Sequence, residues 1–207
     1  MSFFRRLKEL FGRKEAENKS GARSEDLEKQ FARSLEDFRN RPIHRKLTSE
    51  IINRTADDDL LQTVFDNLCE KLPADFRKEY ESVISWNASR QAIYLIWLLE
   101  AEVNNGGFNQ FFFNPTGQFY HHLPDALQLV GALRFRELTL KAILTYQANY
   151  DHITKEQDGT LEGFSKSYED NPLTKLDYEF YDLYQLENLH RLQIDYIRSH
   201  ASEFTDT

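Results

Sequence analysis

One stretch of the sequence, a long apolar run that ends in two asparagines and two glycines, constrains the fold more than any other. Residues 93–99, IYLIWLL, are apolar on nearly every side of a helix, and such a helix is stable only when it is buried. The run continues to residues 104–107, Asn-Asn-Gly-Gly, residue types that tolerate the left-handed backbone that commonly ends a helix. The sequence therefore predicts a central buried helix that is capped by Asn87 and ends at this corner.

Three phenylalanines after the corner, Phe108, Phe111 and Phe112, are spaced to return to the core within one short helix. The next turn is predicted at residues 114–117, NPTG. Before the corner, residues 57–72 form an amphipathic pattern whose three leading aspartates complement a helix N-terminus. In the same pattern Cys69 is predicted to pack as a small apolar residue.

The remaining segments also follow helical spacing. Ser24 is predicted to cap a helix that ends before Pro42, and residues 125–150 are predicted to form two helices divided near residues 131–134. Thr174 and Asp177 fit a capping box, and a buried stripe is predicted to run from there to Tyr196. The polar stretch between these segments is predicted to hold a helical turn or two. With only 8 Gly and 5 Pro, and no convincing alternation of apolar residues, the chain is predicted to be all-α.

The N-terminus has a composition of its own. Residues 1–12 form an amphipathic pattern, whereas residues 13–24 have almost no apolar content. The alternatives for the N-terminal helix are packing on its own domain, docking in a partner's groove, or peripheral contact with an anionic membrane. In the last case the side chains that insert into the membrane would be Phe3, Phe4, Leu7, Leu10 and Phe11. The side chains that contact the lipid headgroups would be Arg5, Arg6 and Lys8. The predicted organisation is a basic helix (1–12), a linker (13–24), a helical extension (25–56), a main helical domain (57–200) and a tail (201–207).

Charge is unevenly distributed along the chain, whose net charge is −8. Residues 1–56 carry 14 Lys/Arg against 9 Asp/Glu, so residues 57–207 hold the remaining 12 basic and 25 acidic side chains, a balance of −13. An acidic domain repels a phosphate backbone, which argues against direct nucleic-acid binding and favours a basic protein as partner. The single cysteine and the lack of a run near 18 apolar residues predict a cytoplasmic protein.

Two interpretations of the polar side chains at the corner stay open. In the first, the amides of Asn104, Asn105, Gln110 and Asn114 satisfy loose backbone ends around the predicted helix end. In the second, the polar side chains converge as a pocket for a ligand or a peptide: Glu102, Asn104, Asn105, Gln110 and Asn114.

The sequence around the corner also resembles a known family. The run IWLLEAEVNNGGFNQFFFNPTG, followed by ALQLVGA and later by LTKLDYEFYDL, is similar to the bacterial domain family of the neisserial DNA-mimic protein. The hallmark of that family, Glu-Val-Asn-Asn-Gly-Gly-Phe followed by Gln, an aromatic pair and Asn, maps onto residues 102–108 and 110–114. The resemblance covers roughly residues 57–200.

The resemblance implies an all-helical fold. For the characterised member of the family it also implies an acidic surface that occupies the DNA-binding face of a transcription factor, and a homodimer. Its contact residues cannot be carried over individually, because the hallmark does not consist of them. We therefore expect the corner to make the fold rather than to imitate DNA.

No sequence motif predicts a catalytic residue, a metal ligand or a cofactor. His121 and His122 are adjacent and point apart on a helix or strand, which makes a poor chelate. Glu100 and Glu102 are two residues apart, about 200° around a helix, so they do not form a natural acid–base pair. These patterns favour a non-enzymatic interaction protein, and an active site assembled from distant residues is the alternative.

Overall fold

The chain forms helices joined by short turns wherever the structure describes it. The structure, a computed structural model, describes residue 29, residues 32–158 and residues 160–206, and no strand occurs among them. Residues 32–39 are helical, and the longer of two 3-10 helices is Pro115–His122. The α-helices from residue 49 onward are α1 (Ser49–Arg54), α2 (Asp57–Cys69), α3 (Glu79–Ile84), α4 (Ala88–Phe113), α5 (Leu123–Leu129), α6 (Leu133–Ala148), α7 (Tyr150–Thr154), α8 (Leu161–Lys166), α9 (Thr174–Leu183), α10 (Leu189–Ser199) and α11 (Ala201–Phe204). The prediction of an all-α fold is confirmed.

Some predicted elements fall outside this range. The amphipathic pattern of residues 1–12, the linker at 13–24 and the predicted cap Ser24 all lie outside the described residues. Within the described part, no helix is long and apolar enough to cross a membrane.

Helix α4 lies at the centre of the fold, as its apolar sequence predicts. Ile93, Ile96 and Leu99 are fully buried, and the helix contacts α2, α5, α9 and α11. Its N-terminus is capped by Asn87, whose side-chain oxygen accepts a hydrogen bond from the Arg90 N–H at 2.9 Å. Burying each such aliphatic side chain contributes about 1.5–3 kcal/mol, so α4 is the element around which the other helices are held.

Helix α2 packs against both α4 and α10. The ring of Phe65 stacks on that of Trp97 of α4, with centroids 4.3 Å apart. At the N-terminus of α2, the carboxylate of Asp57 contacts Arg191 at 2.8 Å and Arg198 at 2.7 Å, both on α10. Burial raises the pKa of the Cys69 thiol to about 12, which agrees with its predicted role as a packed side chain.

The segment before α2 shares the core with the rest of the chain. Leu47 and Ile52 are fully buried. The Asp206 carboxylate, near the C-terminus, accepts hydrogen bonds from the Leu47 N–H at 2.9 Å, from Lys71 at 2.8 Å and from Arg90 at 2.9 Å. These contacts join the C-terminus to residues before the predicted domain boundary at residue 57.

One predicted feature of the C-terminal third is wrong. Thr174 is the first residue of α9 rather than its cap, and no side chain caps that helix end. Asp177 instead points into the core and binds the backbone of α4, so the capping box does not form. The residues of the predicted stripe are buried or pack against the core, but they lie on two helices, because Asn188 begins α10 by accepting a hydrogen bond from the Arg191 N–H at 3.0 Å.

Candidate functional site

The corner after the apolar run is a kink inside α4. Gly106 (φ −151°, ψ 25°) and Gly107 (φ 74°, ψ −177°) have non-helical backbone conformations, and helical structure lies on both sides of them. The prediction that helical structure stops here and resumes with the phenylalanines is therefore confirmed. Gly107 lies in a region of backbone space that is essentially restricted to glycine.

Asp177 of α9 caps the N-terminal end of the helical segment that begins after the kink. The Phe108 N–H donates to Asp177 Oδ1 at 2.7 Å. A Cβ atom added to Gly107 would lie 2.3 Å from the other carboxylate oxygen, so a glycine is required for this close approach. Burial raises the pKa of Asp177 to about 6, while the hydrogen bond from Phe108 opposes that rise.

Two backbone carbonyls at the kink accept hydrogen bonds from tyrosines that lie far along the chain. Tyr181 of α9 donates to the Val103 carbonyl at 2.9 Å, and Tyr168 donates to the Gly106 carbonyl at 2.8 Å. Buried backbone groups need such partners, because an unsatisfied one costs about 1–3 kcal/mol. Side chains outside the corner itself thus bind the backbone of the kink.

Four of the five predicted site residues meet around one carboxylate. Glu102 accepts hydrogen bonds from Gln110 at 2.6 Å, Asn114 at 2.8 Å and Thr116 at 3.2 Å. Asn105 donates to the side-chain oxygen of Gln110 at 3.0 Å. We call Glu102, Asn105, Gln110, Asn114 and Thr116 the Glu102 cluster. Asn105 is exposed and the others are partly buried, so the cluster lies at the surface beside the kink.

The fifth predicted residue, Asn104, belongs to a different network. Its amide donates to the Glu100 carbonyl at 2.7 Å and to the Tyr184 hydroxyl at 3.0 Å. The Glu100 carboxylate accepts from Tyr184 at 2.8 Å and from Gln193 at 2.9 Å. Burial raises the pKa of Tyr184, so this network is held with its tyrosine protonated.

These geometries favour a structural role for the corner over a catalytic one. The carboxylates of Glu100 and Glu102 bind different partners, as their spacing predicts. The two histidines also diverge: His122 Nε2 lies 3.1 Å from the Tyr80 hydroxyl, whereas His121 packs against Tyr120. The described residues contain no group of three or more His, Cys, Asp or Glu placed to hold a metal ion.

The Glu102 cluster leads to a prediction that separates its central residue from its exposed member. Glu102→Ala leaves the amides of Gln110 and Asn114 without their acceptor and should cost about 1–3 kcal/mol of unfolding free energy. Asn105→Ala removes one exposed hydrogen bond and should change it by no more than about 0.5 kcal/mol. Urea unfolding of both variants measures the difference. An equal cost would show that Asn105 is as important to the kink as Glu102.

A second surface feature is the acidic segment, residues 150–187, which spans α7, α8 and α9. It holds ten acidic against three basic side chains, a balance of −7. Glu156, Glu162 and Glu179 pair with lysines. The acidic side chains of the segment that are exposed and form no ion pair with a described residue are Asp151, Asp158, Glu169, Asp170 and Asp182.

A comparison with models of protein families shows which family the chain belongs to. A family model described as DMP19-like protein matches residues 84–200. The chain belongs to the DMP19-like family. The match includes the whole of α4 with its kink, the Glu102 cluster and the acidic segment. No curated protein and no solved structure matches the chain.

Several residues at the DMP19-like kink were missed by reasoning from the sequence. Tyr168, Tyr181 and Tyr184 bind the region of the kink from far along the chain. Tyr181 lies in the stretch LTKLDYEFYDL and Tyr184 in the predicted buried stripe, but neither pattern indicates a contact with the kink. Asp177 was noticed, but its spacing from Thr174 pointed to a local cap. Thr116 lies within the predicted turn at residues 114–117, so proximity in sequence is the one signal that could have added it.

Proposed function

We propose that this DMP19-like protein is an acidic, non-enzymatic interaction protein that binds a basic, DNA-binding protein and occludes its DNA-binding surface. The observation that supports the proposal is the acidic segment, where most of the negative surplus of the family-matched region is concentrated. Residues 84–200 as a whole carry 15 acidic and 9 basic side chains, a balance of −6. The segment alone accounts for −7, so the rest of the matched region is close to neutral.

Charge of one sign on one part of a surface acts mainly on encounter and specificity. Exposed carboxylates attract a basic partner over distances near the Debye length, about 10 Å at 0.1 M salt. They also repel nucleic acid, so the protein would meet the DNA-binding protein rather than the DNA. The kink supports this role indirectly, since it joins α4 to α9 through Asp177 and Tyr181.

Selective neutralisation of the acidic segment tests the proposal. The first variant carries Asp151→Asn, Asp158→Asn, Glu169→Gln and Asp170→Asn. Its control has the same change in net charge at exposed positions elsewhere: Glu36→Gln, Asp37→Asn, Asp59→Asn and Glu81→Gln. Partners captured by the wild-type chain from native host lysate are identified, purified and used to measure affinity for all three proteins.

We expect the affinity for a basic DNA-binding protein to fall roughly tenfold or more in the first variant and much less in the control. The on-rate should fall as salt rises. Duplex DNA should compete with the protein for that partner in a gel-shift assay. Equal losses in the two variants, or a partner that holds DNA and this protein together, would contradict the proposal.

A further inference from the structure

Three tyrosines at the start of the acidic segment pack together at the surface. The ring of Tyr146 lies flat on Phe112, with an interplanar angle of 3° and centroids 4.1 Å apart. Tyr120 and Tyr150 stand steeply to Tyr146, at 69° and 77°, with centroids 6.5 and 5.5 Å away. We call Tyr120, Tyr146 and Tyr150 the tyrosine box. Tyr120 also contacts Phe112, with centroids 6.0 Å apart, and His121, with centroids 3.8 Å apart. Tyr120 therefore lies beside the stack of Phe112 and Tyr146, and Tyr150 is the most exposed of the three rings.

The box is built by three different elements and is accessible from solvent. Tyr120 comes from the 3-10 helix Pro115–His122, Tyr146 from the last turn of α6 and Tyr150 from the start of α7. Tyr150 is 52% exposed, and Tyr120 and Tyr146 are partly exposed. Tyr120 accepts a hydrogen bond from Gln147 at 3.4 Å. Packing does not require a tyrosine as exposed as Tyr150, so its ring is available to a partner.

The tyrosine box adjoins the acidic segment directly. Tyr150 is the first residue of that segment and is followed by the exposed Asp151. Helix α7 is in turn joined to the acidic turn at Asp170, because His152 Nε2 lies 3.2 Å from the Asp170 carbonyl oxygen. Negative potential and aromatic ring faces therefore occur side by side on this part of the surface.

We infer that the tyrosine box binds the guanidinium group of an arginine from the basic partner, an inference that rests on the proposed function. The negative face of an aromatic ring attracts a cation. A planar guanidinium also stacks on rings, is always charged and is more weakly hydrated than an ammonium group. The carboxylates attract the partner, and the box then distinguishes arginine from lysine.

The test uses an oligoarginine peptide and an oligolysine peptide of equal length as probes of the full chain. The wild-type protein should bind the arginine peptide about 2- to 30-fold more tightly than the lysine peptide, the range that corresponds to cation–π energies. Tyr150→Ala should bring the two affinities close together, whereas Tyr150→Phe, which keeps the ring, should preserve the preference. Tyr178→Ala is the matched control, since Tyr178 is 66% exposed on α9.

The outcomes separate this inference from the proposed function. If both peptides bind at low salt but Tyr150→Ala leaves their ratio unchanged, the box is not an arginine site and the acidic surface still attracts cations. If Tyr178→Ala lowers the ratio as much as Tyr150→Ala, the effect does not belong to the box. If neither peptide binds, both the inference and the proposed function are overturned. Circular dichroism confirms that each variant is folded.

Discussion

Replacing Gly107 by alanine is expected to destabilise the protein strongly. The residue combines a φ of 74° with a ψ of −177°, a conformation that costs a side-chain-bearing residue about 1–3 kcal/mol. The added Cβ would also lie 2.3 Å from Asp177 Oδ2, so the carboxylate must move. Moving it weakens the bond to the Phe108 N–H, and we expect a total loss of about 2–5 kcal/mol.

Gly131 provides the matched control for this prediction. Its φ is 79°, close to that of Gly107, but a Cβ there would meet no atom within 4 Å. Gly131→Ala should therefore lower the free energy of unfolding only because a residue with a side chain disfavours this positive φ, by about 1–2 kcal/mol. Urea unfolding of the two variants compares them directly. Equal losses would show that the close approach of Asp177 contributes nothing to the requirement for glycine at position 107.

A double-mutant cycle tests whether the larger destabilisation expected for Gly107→Ala comes from its contact with Asp177. In an Asp177→Ala background the carboxylate is absent, so Gly107→Ala should then cost about as much as Gly131→Ala. The coupling between positions 107 and 177 would confirm that α4 and α9 meet through this contact. Additive losses would instead assign the whole effect to the backbone conformation of Gly107.

The fold could be predicted from the sequence where the determinants are local. The apolar run identified the central helix, and Asn87 was recognised as its cap because capping depends on neighbouring residues. The break between α5 and α6 was predicted near Gly131 for the same reason. The break between α9 and α10 was not predicted, because no glycine or proline marks it and the apolar spacing continues across it.

The candidate site could likewise be predicted only where its residues are close together in the sequence. Glu102, Gln110 and Asn114 were grouped correctly because they lie within 13 consecutive residues on either side of one kink. The partners that satisfy the backbone of the kink come from 62 to 78 residues away in the sequence, and only tertiary packing brings them there. Asp177 shows the limit most clearly: its local pattern fits a cap for α9, yet the core uses its carboxylate to cap α4.

The buried position of Asp177 predicts an unusual dependence of stability on pH. Its pKa rises from 3.8 to about 6 in the folded protein because burial penalises the charged carboxylate. The folded state therefore binds the proton more tightly than the unfolded state does. The stabilising contribution of this group is fully present below a pH near 4 and is lost as the pH rises through 6, by about 3 kcal/mol.

Asp177→Asn should remove this contribution while keeping an oxygen that accepts the hydrogen bond from the Phe108 N–H. The variant should be more stable than the wild-type protein at neutral pH, and its advantage should shrink by about 3 kcal/mol as the pH falls from about 7 to about 4. The difference between the two proteins is the quantity to measure, by urea unfolding across that range, because other carboxylates titrate equally in both. Asp182→Asn, at an exposed position of the same helix, should show no such trend. A constant difference between the Asp177→Asn variant and the wild-type protein at all pH values would mean that the Asp177 carboxylate stays charged where it caps the kink.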